Sequence, residues 1–192
     1  MSIAILGWGS LIWESGEKFD GQHQQWQGDG PTLKIEFSRI SDSRLGALTL
    51  AIDDQCGAPM QVAWCLSTRQ TIEDAICDLR SREGTTVKNI GCVRTHAVPP
   101  VADPPTPQDV IARWARLKNL DAVIWTALES NFLARKAQPF SVAAAAAHVR
   151  AMSPAAKAKA AEYVWRAPDF VRTPLRSVLQ PEPWFSEGEP SS

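Results

Sequence analysis

The apolar positions along this chain change period several times, and each change predicts an element. Ile3, Ala4, Ile5 and Leu6 form a continuous apolar run that reads as a strand; it breaks into Gly7-Trp8-Gly9-Ser10 and resumes as Leu11-Ile12-Trp13. Two glycines around one residue predict a turn with positive φ, whose N–H groups face a concavity suited to an anion or a carbonyl oxygen. A dinucleotide fingerprint is excluded, because the third glycine it needs is replaced by Ile12. Residues 14–31 are polar, rich in Gly and Gln and without sustained period, which predicts a long surface excursion of the kind that covers a pocket. Leu33, Ile35 and Phe37 then alternate with Lys34, Glu36 and Ser38, and Leu48, Leu50 and Ile52 with Thr49 and Ala51. Two half-buried strands are expected there, flanking a polar segment at 39–46, with a third strand over 61–66 after a turn at 57–59.

The period then lengthens. Thr71 and Asp74 form a capping box, and Ile72, Ala75, Ile76 and Leu79 share one helical face that Gly84 terminates. A further strand is expected over 87–98 and a proline-rich connection over 99–107. Thr106, Pro107 and Asp109 start a second helix, from which Val110, Ile111, Trp114 and Leu117 are expected to face inward. An apolar strand follows over 122–128. Ser141 and Ser153-Pro154 each open an alanine-rich helix. From Pro168 onward prolines recur too often for regular structure to be expected, and residues 186–192 are expected to be disordered. No internal repeat is present, so one domain is expected.

A length of 192 residues allows a sizeable core. Twenty basic residues against twenty-one acidic ones, with no basic block, argue against nucleic acid as a partner. No apolar stretch reaches the roughly 20 residues of a membrane span, and the first residues carry no signal pattern, so a cytoplasmic protein with no membrane partner is expected. Cys56, Cys65, Cys77 and Cys92 lie far apart, without a C-x-x-C pair or a histidine at ligand spacing. They read as small, buried, reduced thiols, with no metal expected. His23, His96 and His148 are isolated and read as surface or packing residues.

Glu83 is the most informative carboxylate. It ends the helix that Thr71 begins, in Leu79-Arg80-Ser81-Arg82-Glu83-Gly84, where a negative charge opposes the helix macrodipole. An unfavourable placement of this kind suggests a chemical role for Glu83. The segment Arg39-Ile40-Ser41-Asp42-Ser43-Arg44 joins hydroxyls to guanidinium groups and suits a carboxylate, with Arg39 and Ser41 as its candidate ligands.

The glycine loop and the helix-end glutamate, in that order, resemble the γ-glutamylcyclotransferase-like family, including its ChaC branch. Trp8 stands where that family usually has tyrosine, and the chain's only tyrosine is Tyr163. The resemblance covers about the first 95 residues well. It implies an α+β fold, a small mixed β-barrel surrounded by α-helices, with residues 1–170 as a single cyclotransferase-like domain and 171–192 as a C-terminal extension. It further implies cyclisation of a γ-glutamyl amide or peptide to 5-oxoproline with release of an amine or amino acid, without metal or cofactor. Glu83 would be the general acid and base, and Gly7, Trp8, Gly9, Ser10 and Leu11 would bind the substrate. Trp8, Trp13 or Trp64 would desolvate Glu83. Two alternatives stay open: a non-catalytic small-molecule-binding protein on the same scaffold, and an interaction module presenting Trp26 and Trp184.

Overall fold

The computed structural model describes residues 1–97 and 102–186. The end of the strand expected over 87–98, the start of the proline-rich connection and residues 187–192 of the expected disordered tail lie outside the described residues. The strands are β1 (Ile3–Gly7), β2 (Thr32–Ser41), β3 (Ala47–Ile52), β4 (Ala58–Gln61), β5 (Ala63–Leu66), β6 (Ile90–Arg94) and β7 (Ala122–Thr126). The helices are α1 (Glu17–Asp20), α2 (Ile72–Arg82), α3 (Pro107–Leu117), α4 (Phe132–Lys136), α5 (Val142–Arg150), α6 (Pro154–Arg166), α7 (Pro174–Leu179) and α8 (Pro183–Ser186). The fold is therefore mixed α+β, as the sequence implies. Its strands form a four-stranded sheet, β5-β1-β7-β6, and a three-stranded sheet, β3-β2-β4, and no closed barrel is formed among the described residues. The chain divides into two compact units, the first comprising Met1–Leu33 and Gln61–Leu128, the second Lys34–Met60 and Glu129–Ser192.

In the first unit β1 is central, antiparallel to β5 and parallel to β7. All five of its residues are buried, which explains why its sequence is continuously apolar rather than alternating. Ile3 and Ile5 join Cys65, Ile124, Leu11 and Phe19 in a cluster with Ile72, Ala75 and Leu79 of α2. Thr71 caps α2, its hydroxyl accepting from the Asp74 N–H at 3.2 Å, but the expected box is only half formed, because the Asp74 carboxylate accepts from the Thr71 hydroxyl at 2.7 Å. The α3 cap is complete: Thr106 and Asp109 exchange side-chain-to-backbone bonds, and Pro107 takes the first turn. The inward face of α3 differs from expectation, however. Ile111, Ala112 and Ala115 are buried, whereas Leu117 is 77% exposed. The buried stripe is rotated by about 100° from the one read off the large apolar residues, because alanines permit close approach of the helix.

The excursion after β1 is tied along β5. Gln27 and Trp64 exchange backbone bonds of 2.7 and 2.9 Å, and the Gln24 N–H donates to the Leu66 carbonyl at 2.8 Å. Asp29 anchors its end, accepting from the Trp64 indole at 2.7 Å and pairing with Lys118, while the Trp114 indole donates to the Asp29 carbonyl at 3.1 Å. The strand expected over 61–66 divides at the buried Val62, which bonds backbone-to-backbone with Gly30 and Pro31, so 58–61 and 63–66 enter different sheets. The strand expected over 87–98 is shorter, Ile90–Arg94, between 3-10 turns.

In the second unit, α5 and α6 lie against β3, and α7 lies against α5. Two expectations fail here. First, β2 is not half-exposed: Glu36 and Ser38 are fully buried, and the register with β3 shifts between Glu36 and Arg39. Second, the proline-rich segment after Pro168 is helical in part. Pro174 and Pro183 begin helices, where a missing N–H costs nothing, and the Thr173 hydroxyl accepts from the Arg176 N–H at 3.2 Å. The buried Arg176 guanidinium then satisfies the carbonyls of Ala167, Pro168 and Val171 at 3.1, 3.0 and 2.8 Å. Glu36 reaches the start of α7, its carboxylate accepting from the Phe37 N–H at 2.7 Å and the Leu175 N–H at 3.4 Å.

The cysteines differ from the buried set expected. All four are free thiols, but only Cys65 is buried, while Cys56 and Cys77 are exposed. Trp26 and Trp184, expected to be exposed, are half-buried. Among the described residues no helix is long and apolar enough to cross a membrane.

Burial raises the pKa of Glu36 above the ordinary 4.5, against hydrogen bonds from Thr173, Phe37 and Leu175 that lower it. A carboxyl raised on folding contributes stability below its unfolded pKa and loses that contribution as pH rises through the folded value. The stability of the wild type relative to Glu36→Gln should therefore fall as pH rises from the ordinary carboxylate value of 4.5. Urea unfolding of both proteins at rising pH measures it; parallel curves would contradict the assignment.

Candidate functional site

The glycine loop begins where β1 ends. Gly7 is the last residue paired with β5, opposite Ala63. Beyond it the chain enters a right-handed turn: the Ile12 N–H donates to the Gly9 carbonyl at 3.0 Å and the Glu14 N–H to the Ser10 carbonyl at 2.8 Å. Trp8 and Leu11 are buried, which fixes the turn to the body of the unit, while Gly9 and Ser10 are half-buried. The N–H groups of Gly9, Ser10 and Leu11 donate no hydrogen bond among the described residues.

The origin of those donors differs from expectation. Positive φ was expected at the glycines, but the described glycines with left-handed backbone are Gly46 and Gly84, not Gly7 or Gly9. The N–H groups without a partner among the described residues are those that any helical turn leaves unused at its start. Gly7 is required for another reason. A Cβ there would lie 2.8 Å from the Trp26 ring and 3.1 Å from Ile12 Cγ1. The tryptophan at the far end of the polar excursion thus closes over the loop's first residue.

Glu83 is the C-cap of α2 and is half-buried. The helix stops in a complete Schellman arrangement, with Thr85 N–H on the Arg80 carbonyl at 3.1 Å, Gly84 N–H on the Ser81 carbonyl at 3.2 Å, and Gly84 at φ +58°. The sequence reading of the helix end is therefore correct. The loop and the helix end are joined by Arg82, the residue before Glu83. Its Nη2 donates to the Ser10 carbonyl at 3.3 Å and the Glu14 carbonyl at 2.7 Å, and its stem lies against Gly16, where a Cβ would be 2.6 Å from Arg82 Cδ. Nearby, Asp20 accepts from Gly16 N–H at 3.0 Å and Ser15 Oγ at 2.9 Å; these bonds hold its carboxyl below the usual range.

Six of the predicted site residues, Gly7, Trp8, Gly9, Ser10, Leu11 and Glu83, belong to the first unit, and Arg39 and Ser41 to the second. The segment expected as an exposed polar turn extends β2 through Ser41 before a 3-10 turn at Asp42–Arg44. Arg39 donates to the Glu129 carbonyl at 2.8 Å, and burial lowers its pKa. Ser41 Oγ lies 3.0 Å from Ser43 Oγ, and Asp42 holds Arg135 through two bonds of 2.9 and 2.5 Å. Asn131 closes this end of the sheet by bonding both the N–H and the carbonyl of Ile40, at 2.7 and 3.0 Å. Of the tryptophans expected to desolvate Glu83, Trp64 is committed to Asp29 and Trp114, whose ring meets it edge-on at 5.2 Å.

Arg82 is the residue that sequence reasoning missed. Its carbonyl partners lie about seventy residues away along the chain, and nothing in local spacing marks a cation destined for backbone oxygens. Comparison of the chain with protein-family models, curated proteins and solved structures finds no match.

Gly7→Ala should push the Trp26 ring off the loop and destabilise the first unit by about 1–3 kcal/mol, the usual cost of overpacking. Thermal unfolding combined with tryptophan emission checks this; an unchanged midpoint and spectrum would show that Trp26 does not hold the loop.

Proposed function

We propose that this chain is a γ-glutamylcyclotransferase-like enzyme, with Glu83 as its general acid and base. The observation that carries the reading is the pairing within the first unit: a turn with three N–H donors unused among the described residues, tied by one arginine to the helix end that bears Glu83. Both motifs of the family resemblance thus belong to one connected piece of structure.

The reaction asks little of the protein. The α-amine of a γ-glutamyl substrate attacks its own γ-carbonyl carbon; a new C–N bond closes the five-membered ring, and the old amide C–N bond breaks. Positioning replaces a bimolecular encounter, since the nucleophile already belongs to the substrate. The N–H groups of Gly9, Ser10 and Leu11 take the γ-carbonyl oxygen, whose negative charge grows in the transition state. Glu83 accepts a proton as the ammonium becomes a nucleophile and delivers it to the departing nitrogen, so proton and charge balance over the cycle. The products are 5-oxoproline and a free amine or amino acid.

The test is release of 5-oxoproline from glutathione, γ-glutamyl dipeptides and γ-glutamyl amines. At least one should be turned over by the wild type, and Glu83→Gln should lower kcat by about 100-fold or more while the protein stays folded by circular dichroism. Absence of turnover across the panel, with ligand binding that survives Glu83→Gln, would instead identify a binding protein on this scaffold.

A further inference from the structure

We infer that Arg82 is the positioning residue of this site, setting the donor turn against the helix end that carries Glu83. The inference rests on the cyclotransferase reading for its kinetic consequence, but not for its structural one. The geometry is specific. One nitrogen, Nη2, has two protons, and two carbonyl oxygens of the turn, Ser10 and Glu14, lie at 3.3 and 2.7 Å from it. Those carbonyls belong to the stretch whose first N–H groups donate no hydrogen bond among the described residues. A cation on the carbonyl side of a short turn withdraws electron density along the peptide units and fixes their direction, so the donor side is polarised and held before substrate arrives.

Two further observations argue that the contact is more than incidental packing. Arg82 Nε is buried with no hydrogen-bond partner among the described residues. A buried donor left unmade is a cost, and it falls on the same side chain that spans the gap to the turn. The stem also passes over Gly16, at a distance no larger residue would allow. The chain thus has a glycine where the Arg82 stem passes, and Arg82 bridges to the turn although its Nε lacks a partner among the described residues. Because Arg82 precedes Glu83, movement of the turn relative to α2 would be movement relative to Glu83.

Three variants separate this role from bulk packing. Arg82→Met keeps the stem against Gly16 and removes every donor; Arg82→Gln keeps a neutral donor; Arg82→Lys keeps charge and a donor on a side chain one bond shorter. Amide hydrogen exchange in the full chain reads the structure directly. In Arg82→Met the N–H groups of Ile12 and Glu14 should exchange about 10- to 100-fold faster, the value of a hydrogen bond to a charged group, while those of β1 are unchanged. Unchanged protection at Ile12 and Glu14 would overturn the inference.

On whichever γ-glutamyl substrate the wild type turns over, Arg82→Met should lose about 10- to 100-fold in kcat with little change in KM, since the donors act on charge formed in the transition state. Arg82→Lys should recover part of that loss. Wild-type kcat in Arg82→Met, measured per folded molecule, would show that the stem alone suffices and would overturn the inference. A wild type that turns over nothing would fail the cyclotransferase reading alone, and exchange at Ile12 and Glu14 would still decide the role of Arg82.

Discussion

The candidate site depends on the packing of α2 against one face of the four-stranded sheet. Ile3 and Ile5 of β1, Cys65 of β5 and Ile124 of β7 meet Ile72, Ala75 and Leu79 of the helix in one cluster. Each fully buried large aliphatic side chain there contributes about 1.5–3 kcal/mol relative to exposure, and several act together. Ala75 is the small residue of this face and lets the helix approach closely. With α2 fixed in this way, the height of its last turn is fixed too, and Arg82 can reach the carbonyls of the turn that leaves β1. Polar geometry is set here by apolar packing, and Leu11 belongs to both, being part of the turn and of the cluster.

The second unit solves a different problem, that of burying polar groups with partners. Glu36 faces the first turn of α7, where N–H groups have no partner within the helix. Arg176, at the other side of the same short helix, satisfies three carbonyls of the proline-interrupted segment before it. Neither charged group pairs with the other; each replaces water around backbone that cannot form regular ladders. Ser38, buried beside the register shift in β2, has a hydroxyl without a partner among the described residues, and its backbone carbonyl accepts from Ser130 at 2.8 Å.

What the sequence made legible follows the range of the interaction concerned. Helix caps are local: Thr71, Thr106, Ser141 and Ser153 each bond an N–H three residues on, so their spacing alone identified them. The continuous apolar run of β1 was equally readable, as was the stop at Gly84. Strand exposure was not, because Glu36 is buried by a helix some 140 residues later in the chain, and alternation records only the polarity of a position, not what covers it. Leu117 was misassigned for a related reason: large apolar residues suggested one face, while small ones made the actual contact. For the candidate site, the loop and Glu83 were visible as motifs, but the arginine that joins them was not, since its partners are main-chain oxygens that any sequence would supply.

A site built from backbone donors leaves a thin signature in a sequence. If the oxygen of a reacting amide is held by backbone N–H groups, the side chains of the loop are released from chemistry. Here Trp8 and Leu11 are buried in the unit, and the turn's N–H groups belong to the backbone whatever those side chains are. A single backbone donor aimed at a developing oxyanion is worth about 3–4 kcal/mol, comparable with a catalytic side chain, yet it places almost no constraint on residue type beyond small size where another group approaches. Gly7 under Trp26 and Gly16 under Arg82 are constraints of this kind. Selection on a backbone-built site therefore acts on glycines, on the packing that fixes the turn and on one proton-transferring carboxylate, while the rest of the chain is free to diverge.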